Sequence, residues 1–349
     1  MTTFLTDKQR FDQVGYSPVR LGRGSADQPD SPEASDTENT APCITIAPEQ
    51  VHVFDPESVL ALRAALAARR PLLVEGETGC GKTQLAYAAA KVLERPPVSL
   101  VVDSRTESSD LLWRFDSVRR LAEAQLCAAL GKIAKVDEVL NLERFIQPAP
   151  LWWGLNWKSA QEHCAKYQLN PQMVPPGTNP ENGVVVLIDE IDKGTSDVPN
   201  GLLESLGELK FTAEGRIPVK AQGKPPLVII TTNREQTLPA AFIRRCLVYR
   251  LPSRENEELI SWVTRLAEAH FPINATEGSR GLTSKDVERA AQQLVEDRNT
   301  GFLPKPGVAE FLDYLRALAE LRRQGDETSH ELCEHLRQLT FRKNTGVAR

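Results

Sequence analysis

Five short apolar runs predict the strands of a parallel sheet. Each run is continuously apolar and does not alternate with polar residues, as expected of strands that are covered on both faces. Helical patterns lie between the runs, so strand and helix alternate along this part of the chain. The predicted strands are Leu72–Glu75, Val98–Val102, Val184–Ile188, Leu227–Thr231 and Leu247–Arg250.

From Glu255 onward, apolar positions recur only at helical spacing. Thr283–Asp286 reads as a helix start, and Pro304 and Pro306 precede the next predicted helix. The pattern therefore predicts a sheet domain over residues 44–253, with an insertion at about 118–182, and a helical domain over 254–349. The predicted helices after the sheet are Glu258–Ala269, Ser284–Glu296, Val308–Arg322 and Ser329–Leu339.

Residues 1–43 are predicted to form a flexible tail. Residues 17–41 are rich in Ser, Pro, Asp, Glu and Gly, and almost no large apolar residue interrupts them. Such a segment cannot bury enough surface to offset its chain entropy. Four apolar residues precede this segment: Phe4, Leu5, Phe11 and Val14. They could form a short docking peptide, but a frayed terminus is the better interpretation.

Composition excludes several classes of protein. The chain has 349 residues, 41% of them hydrophobic, which suggests two domains with real cores. It has no apolar run of the ~18 residues that a membrane span needs, and no apolar leader at its start. Its six cysteines are scattered without a C-x-x-C pair, which favours the reducing cytoplasm over a zinc or disulfide framework. A net charge of −5 argues against a broad nucleic-acid-binding surface.

Residues 76–83 fit the phosphate-loop pattern G-x-x-x-x-G-K-[ST] at every fixed position. An apolar strand precedes the loop, and an Ala-rich helix at Gln84–Leu93 follows, so its N-terminus would face bound phosphates. Lys82 would reach the β- and γ-phosphates, and Thr83 would ligate Mg²⁺. A glycine-rich turn with a chance lysine is the alternative. The predicted nucleotide contacts are Gly76, Glu77, Thr78, Gly79, Cys80, Gly81, Lys82, Thr83 and Gln84.

Two of the predicted strands end in polar residues. Asp189 and Glu190 follow one of them, and Asn233 follows the next. Asp189 would hold Mg²⁺ beside the nucleotide, and Glu190 would polarise the attacking water as a general base. Asn233 would orient that water or contact the γ-phosphate. An ordinary acidic turn and an ordinary loop asparagine are the alternatives.

Arg244 and Arg245 stand before the last predicted strand. An arginine supplied by a neighbouring subunit can stabilise the charge that develops in phosphoryl transfer, by about 10³–10⁵ in rate. Surface salt bridges, which contribute little, are the alternative for this pair.

These four pieces, in this order, resemble the AAA+ ATPases, and the resemblance covers roughly residues 44–339. It implies an α/β P-loop NTPase fold, in which helices sandwich a parallel sheet and a small all-helical lid domain follows. It also implies ATP and Mg²⁺ as ligands, and a ring of subunits, expected to be a hexamer.

Within that class, the chain looks most like the MoxR-like branch. The segments that carry this likeness are Arg70–Gly79, Leu202–Leu206, Lys210–Thr212 and Leu238–Arg245. On that match Arg245 takes the position of the arginine finger. Arg244 stands where an acidic residue is more usual, and Cys246 replaces the usual Phe.

Two segments keep alternative interpretations. Lids of this family often carry a basic residue that reaches the γ-phosphate, and Lys305 is the candidate here, with an exposed surface lysine as the alternative. The insertion carries Trp152, Trp153 and Trp157, which could contact a client protein or pack against the sheet.

The resemblance implies an ATPase that remodels or activates a client protein, such as one with a von Willebrand A domain. A nucleic-acid motor or a restriction-type GTPase on a similar core is the second interpretation, although the acidic charge makes a nucleic-acid partner the less favoured one. A non-catalytic, nucleotide-bound scaffold is the third. The residues do not distinguish adenine from guanine.

Overall fold

A computed structural model of the chain describes residues 9–11, 43–47, 50–130, 139–214, 217–273, 281–300, 304–324 and 329–343. Predictions for Phe4, Leu5, Val14 and residues 17–41 lie outside the described residues. The described residues fall into two compact units. The first lies within Met1–Gln13, Pro56–Glu75 and Thr83–Arg250, and the second within Val14–Asp55, Gly76–Lys82 and Leu251–Arg349.

Strands and helices are numbered along the chain over the described residues. The strands are β1 (Cys43–Ala47), β2 (Gln50–Val53), β3 (Leu72–Glu75), β4 (Pro97–Val101), β5 (Trp113–Phe115), β6 (Ile146–Pro148), β7 (Val185–Asp189), β8 (Lys210–Ala213), β9 (Ile217–Lys220), β10 (Leu227–Thr232) and β11 (Leu247–Arg250). The helices are α1 (Pro56–Ala68), α2 (Lys82–Val92), α3 (Ser117–Ala129), α4 (Pro150–Leu155), α5 (Trp157–Tyr167), α6 (Asp197–Glu208), α7 (Ala240–Ile243), α8 (Asn256–His270), α9 (Ser284–Asn299), α10 (Val308–Gln324) and α11 (His330–Thr340).

The first unit is built on a five-stranded sheet with the order β11-β3-β10-β7-β4, and every neighbouring pair is parallel. The predicted parallel sheet is therefore confirmed. Strands β3 and β10 are buried along their whole length, which explains their continuously apolar sequences. In a parallel sheet the carboxyl ends of all strands lie along one edge, so the residues that follow β7 and β10 are neighbours.

The Trp-rich segment packs into the core of the first unit. Trp152 and Trp153 are buried, and Trp157 is partly buried with its ring 4.8 Å from that of Trp153. Helix α4 approaches the sheet so closely that a Cβ on Gly154 would lie 2.5 Å from Val186 Cγ2. Packing against the sheet is thus the correct alternative for Trp152 and Trp153, because buried indoles are closed to a client protein.

The second unit contains the β1–β2 antiparallel hairpin and helices α8 to α11. Its helices enclose an apolar core that includes Val263, Leu294, Phe311 and Leu315. Thr283 caps α9: its side chain accepts from the backbone N–H of Asp286, whose carboxylate accepts from Thr283 N–H at 2.9 Å. This reciprocal cap confirms the helix start that was predicted at Thr283.

Three residues of the predicted tail pack against the first unit. Gln9–Phe11 are helical, and Arg10 and Phe11 are buried. The Arg10 guanidinium donates to the carbonyl of Leu93 at 3.2 Å and forms an ion pair with Glu94, just after α2. A cation at this end of a helix satisfies carbonyl groups that have no partner within the helix.

None of the helices in the described ranges is both long enough and apolar enough to cross a membrane. The same ranges hold no group of three or more His, Cys, Asp or Glu side chains that could bind a metal ion.

Candidate functional site

The phosphate loop needs glycine at several positions for different reasons. Gly79 and Gly81 have φ angles of +77° and +96°, a left-handed conformation that costs a residue with a Cβ free energy. Gly76 has a different constraint, because a Cβ there would lie 2.8 Å from the Cys80 sulfur. The three glycines therefore fix the path that the loop takes.

Lys82 is held by the loop itself. Its Nζ donates to the carbonyls of Gly76 and Glu77, both at 2.8 Å, and the residue is buried. Burial also raises the pKa of the neighbouring Cys80 thiol, so this cysteine is a neutral group at physiological pH. An ammonium that the loop carbonyls hold in place makes the loop a suitable site for the phosphates of a nucleotide.

Thr83 and Asp189 meet in the first unit, although 106 residues separate them in sequence. The Thr83 hydroxyl donates to Asp189 Oδ2 at 2.9 Å and to Oδ1 at 3.1 Å. A hydroxyl and a carboxylate are hard oxygen ligands of the kind Mg²⁺ takes, so this pair fits the predicted metal site.

Glu190 has an unusual backbone conformation. Its φ of 58° and ψ of 48° place a non-glycine residue in the left-handed region, which costs about 1–3 kcal/mol and is typical of functional sites. The hydroxyl of Thr231 fixes it by accepting from Glu190 N–H at 2.9 Å and donating to Asp189 Oδ1 at 2.5 Å. Asn233 Nδ2 lies 3.4 Å from Glu190 Oε1, so Asn233 is in contact with the proposed general base.

Arg298, a residue that the sequence analysis missed, reaches the phosphate loop within the second unit. Its guanidinium donates to Glu77 Oε2 at 3.2 Å and to the carbonyl of Pro306 at 2.8 Å. The predicted helix ended at Glu296, whereas α9 continues to Asn299 and carries Arg298 in its last turn. A longer helix prediction would have drawn attention to this basic residue.

Lys305, the predicted lid residue, is exposed. It lines a cavity of about 210 Å³ together with Arg298 and Asn256, and it forms no hydrogen bond or ion pair within the described ranges. Its role at the γ-phosphate stays a prediction.

Arg244 and Arg245 follow α7 and are both exposed. Neither side chain pairs with another residue in the part of the chain that the structure describes. The next residue, Cys246, is buried in the core of the first unit beside Phe242, and burial raises the pKa of its thiol to about 12. Cys246 therefore fills space in the core, as the Phe that is usual in the MoxR-like pattern could. The arginine-finger role stays a prediction for Arg244 and Arg245.

A phosphate loop after β3, an acidic pair after β7 and an asparagine after β10 define a P-loop nucleotide-binding protein of the AAA+ class. The family model for the AAA domain, dynein-related subfamily, matches residues 71–246, about half of the chain. The chain belongs to this family.

Two relatives share part of the chain. Gas vesicle ATPase GvpN1 of Halobacterium salinarum is 28% identical over 138 residues, which cover 34% of this chain and 40% of that protein. Gas vesicle ATPase GvpN2 of the same organism is 29% identical over 140 residues, with the same two shares. The match thus spans less than half the length of either relative. A solved structure of a proposed ATPase from Cytophaga hutchinsonii has a TM-score of 0.37 and 13% identity, and covers 82% of this chain and 80% of that one.

Proposed function

We propose that this protein is a Mg²⁺-dependent ATPase of the MoxR-like AAA+ branch, which hydrolyses ATP in a ring and thereby remodels a client protein. One observation supports hydrolysis above all: Thr83, Asp189, Glu190 and Asn233 form one connected hydrogen-bonded group with Thr231. Family membership and the ATPase names of the two relatives support ATP as the nucleotide.

Each group has a distinct task in this proposal. Lys82 binds the phosphates, and Thr83 and Asp189 would hold Mg²⁺, which would supply positive charge beside the phosphates. Glu190 accepts the proton of the attacking water, and Asn233 keeps the Glu190 carboxylate in place through their contact.

The ring, its expected six subunits and the chaperone-like role rest on the family resemblance. The proposal of a client protein, such as one with a von Willebrand A domain, rests on the same resemblance. The side chains of Arg244 and Arg245 are exposed and pair with no residue of the described ranges, which is consistent with a site that a neighbouring subunit completes. The scattered cysteines support a cytoplasmic location.

Two variants separate binding from chemistry. Lys82→Ala should lose binding of a fluorescent ATP analogue, because it removes the buried ammonium of the phosphate loop. Glu190→Gln should bind the analogue normally and lose about 10²–10⁴ in turnover, because the amide cannot accept the proton. Parent-rate hydrolysis by Glu190→Gln would overturn the assignment of the base.

The alternative interpretations predict different results for the parent protein. A GTPase would turn over GTP in preference to ATP when the two compete. A nucleic-acid motor would bind DNA at low salt and release it as salt rises. A scaffold would bind ATP without any turnover. We expect ATP hydrolysis, with no preference for GTP and no DNA binding.

A further inference from the structure

The turn after β10 is held by two carboxylates that the proposed chemistry does not use. Asp192 is buried, and its two oxygens accept from Asn233 N–H at 3.4 Å and from Glu235 N–H at 2.9 Å. This carboxylate therefore ties the backbone on both sides of Arg234 to the segment that follows Glu190.

Glu75 holds the same turn from the neighbouring strand. It is the last residue of β3, is buried, and stands opposite Thr232 in the sheet register. Its Oε2 accepts from Arg234 Nε at 3.0 Å, and a second Arg234 nitrogen also donates to it. Arg250 Nε donates to that oxygen as well, at 2.9 Å.

Arg234 itself adopts a strained conformation. Its φ is 61°, in the left-handed region, and its N–H donates to Thr232 Oγ1 at 3.0 Å. Such a conformation persists only where the surroundings determine it strongly. Here Glu75 holds the Arg234 side chain, and Asp192 holds the backbone on either side of it.

The turn positions the side chain of Asn233, whose amide lies 3.4 Å from Glu190. A displacement of about 1 Å at a reacting group can cost 10²-fold in rate, so the exact path of this turn bears on turnover. We propose that Glu75 and Asp192 are positioning residues for Asn233, and that Glu75 acts through Arg234. This inference rests on the proposed ATPase function.

The chain offers a matched control for this proposal. Arg234 and Arg250 share the same Glu75 oxygen, and both side chains are more than half exposed, so replacing either one leaves the core packed. Only Arg234 is adjacent to Asn233. A role in stability alone would make the two arginines equivalent, whereas a positioning role would make Arg234 the more important for turnover.

The experiment measures steady-state ATP hydrolysis by the full chain carrying Arg234→Ala or Arg250→Ala, with thermal unfolding to verify folding. We expect Arg234→Ala to lower kcat by about 10- to 100-fold, with KM within about twofold of the parent. We expect Arg250→Ala to keep kcat within about twofold. Equal kcat losses in the two variants would overturn the inference.

A double-mutant cycle provides a second readout. If Arg234 acts through Asn233, Arg234→Ala should cause no further loss of kcat in an Asn233→Ala background. The same fold-loss in both backgrounds would contradict the positioning role. A parent protein without ATP turnover would overturn the proposed function and this inference with it, whereas an active parent with an unaffected Arg234→Ala variant would overturn the inference alone.

Discussion

At the scale of single residues, the least expected member of the site is Thr231. It is fully buried in β10, yet its hydroxyl contacts both the Asp189 carboxylate and the Glu190 N–H. Threonine is common in strands because it is β-branched, so the sequence pattern gives no sign of this second role. The hydroxyl therefore links Asp189, the proposed metal ligand, to Glu190, the proposed general base.

Thr231→Val tests that role with almost no change in shape. The variant removes a donor to Asp189 and leaves the Glu190 N–H without its acceptor. We expect it to lower kcat by at least 10-fold and the free energy of unfolding by about 1–3 kcal/mol. Thr231→Ser, which keeps the hydroxyl, should stay close to the parent in ATP turnover. Equal activity in the Val and Ser variants would exclude a role for the hydroxyl.

At the scale of elements, α9 connects the core of the second unit to the phosphate loop. Its last turn carries Asp297, fully buried and bonded to Arg337 and Arg342, and then Arg298, which contacts Glu77. Its first turn carries Asp286, which contacts Arg322 of α10 at 2.6 Å. Both ends of the helix are therefore fixed by charged pairs, and Arg298 is presented by a rigid element.

Asp286 should make this unit sensitive to acid. Burial raises the pKa of this carboxyl, but hydrogen bonds from Arg322 and Thr283 outweigh it and hold the pKa below its usual range. A lowered pKa adds stability above the unfolded value of about 3.9, and that stability is lost as pH falls through the folded pKa. Asp286→Asn should therefore unfold at a lower temperature at pH 7 and show a smaller further loss between pH 5 and pH 3.

Asp313→Asn is the control for this measurement. Asp313 lies on α10, its side chain is 60% exposed, and it forms an ion pair with Arg316 of the same helix. The Asp313→Asn variant should unfold at the same temperature as the parent at every pH, because exposed ion pairs contribute little to stability. Identical pH profiles for Asp286→Asn and the parent would show that the partly buried pair of Asp286 and Arg322 adds no stability.

At the scale of the whole molecule, the sequence predicted what depends on local pattern. Continuous apolar runs predicted the five parallel strands, a fixed spacing predicted the phosphate loop, and the acidic end of one apolar run predicted Asp189 and Glu190. The strand order and the residues it brings together could not be predicted in this way. Glu75 meets Arg234 across 159 positions of sequence, because β3 and β10 are neighbours only in the folded sheet.

The role proposed for the arginines before β11 depends on a neighbouring subunit. If Arg245 completes the site of a neighbouring subunit, Arg245→Ala should bind ATP normally and lose about 10³–10⁵ in turnover. Its exposed side chain has no partner in the described ranges, so the loss would not reflect unfolding. Arg69→Ala, another exposed arginine of the same unit, is the control and should keep its activity.

Mixing two inactive variants distinguishes a finger that acts between subunits from one that acts within its own. Lys82→Ala subunits have no functional phosphate loop but an intact Arg245, and Arg245→Ala subunits have the reverse. In a mixed ring, some sites would combine an intact loop with an intact arginine, so ATP turnover should recover in part. No recovery, with mixed assemblies verified by co-purification of differently tagged subunits, would mean that each subunit uses its own arginine or that the finger is another residue.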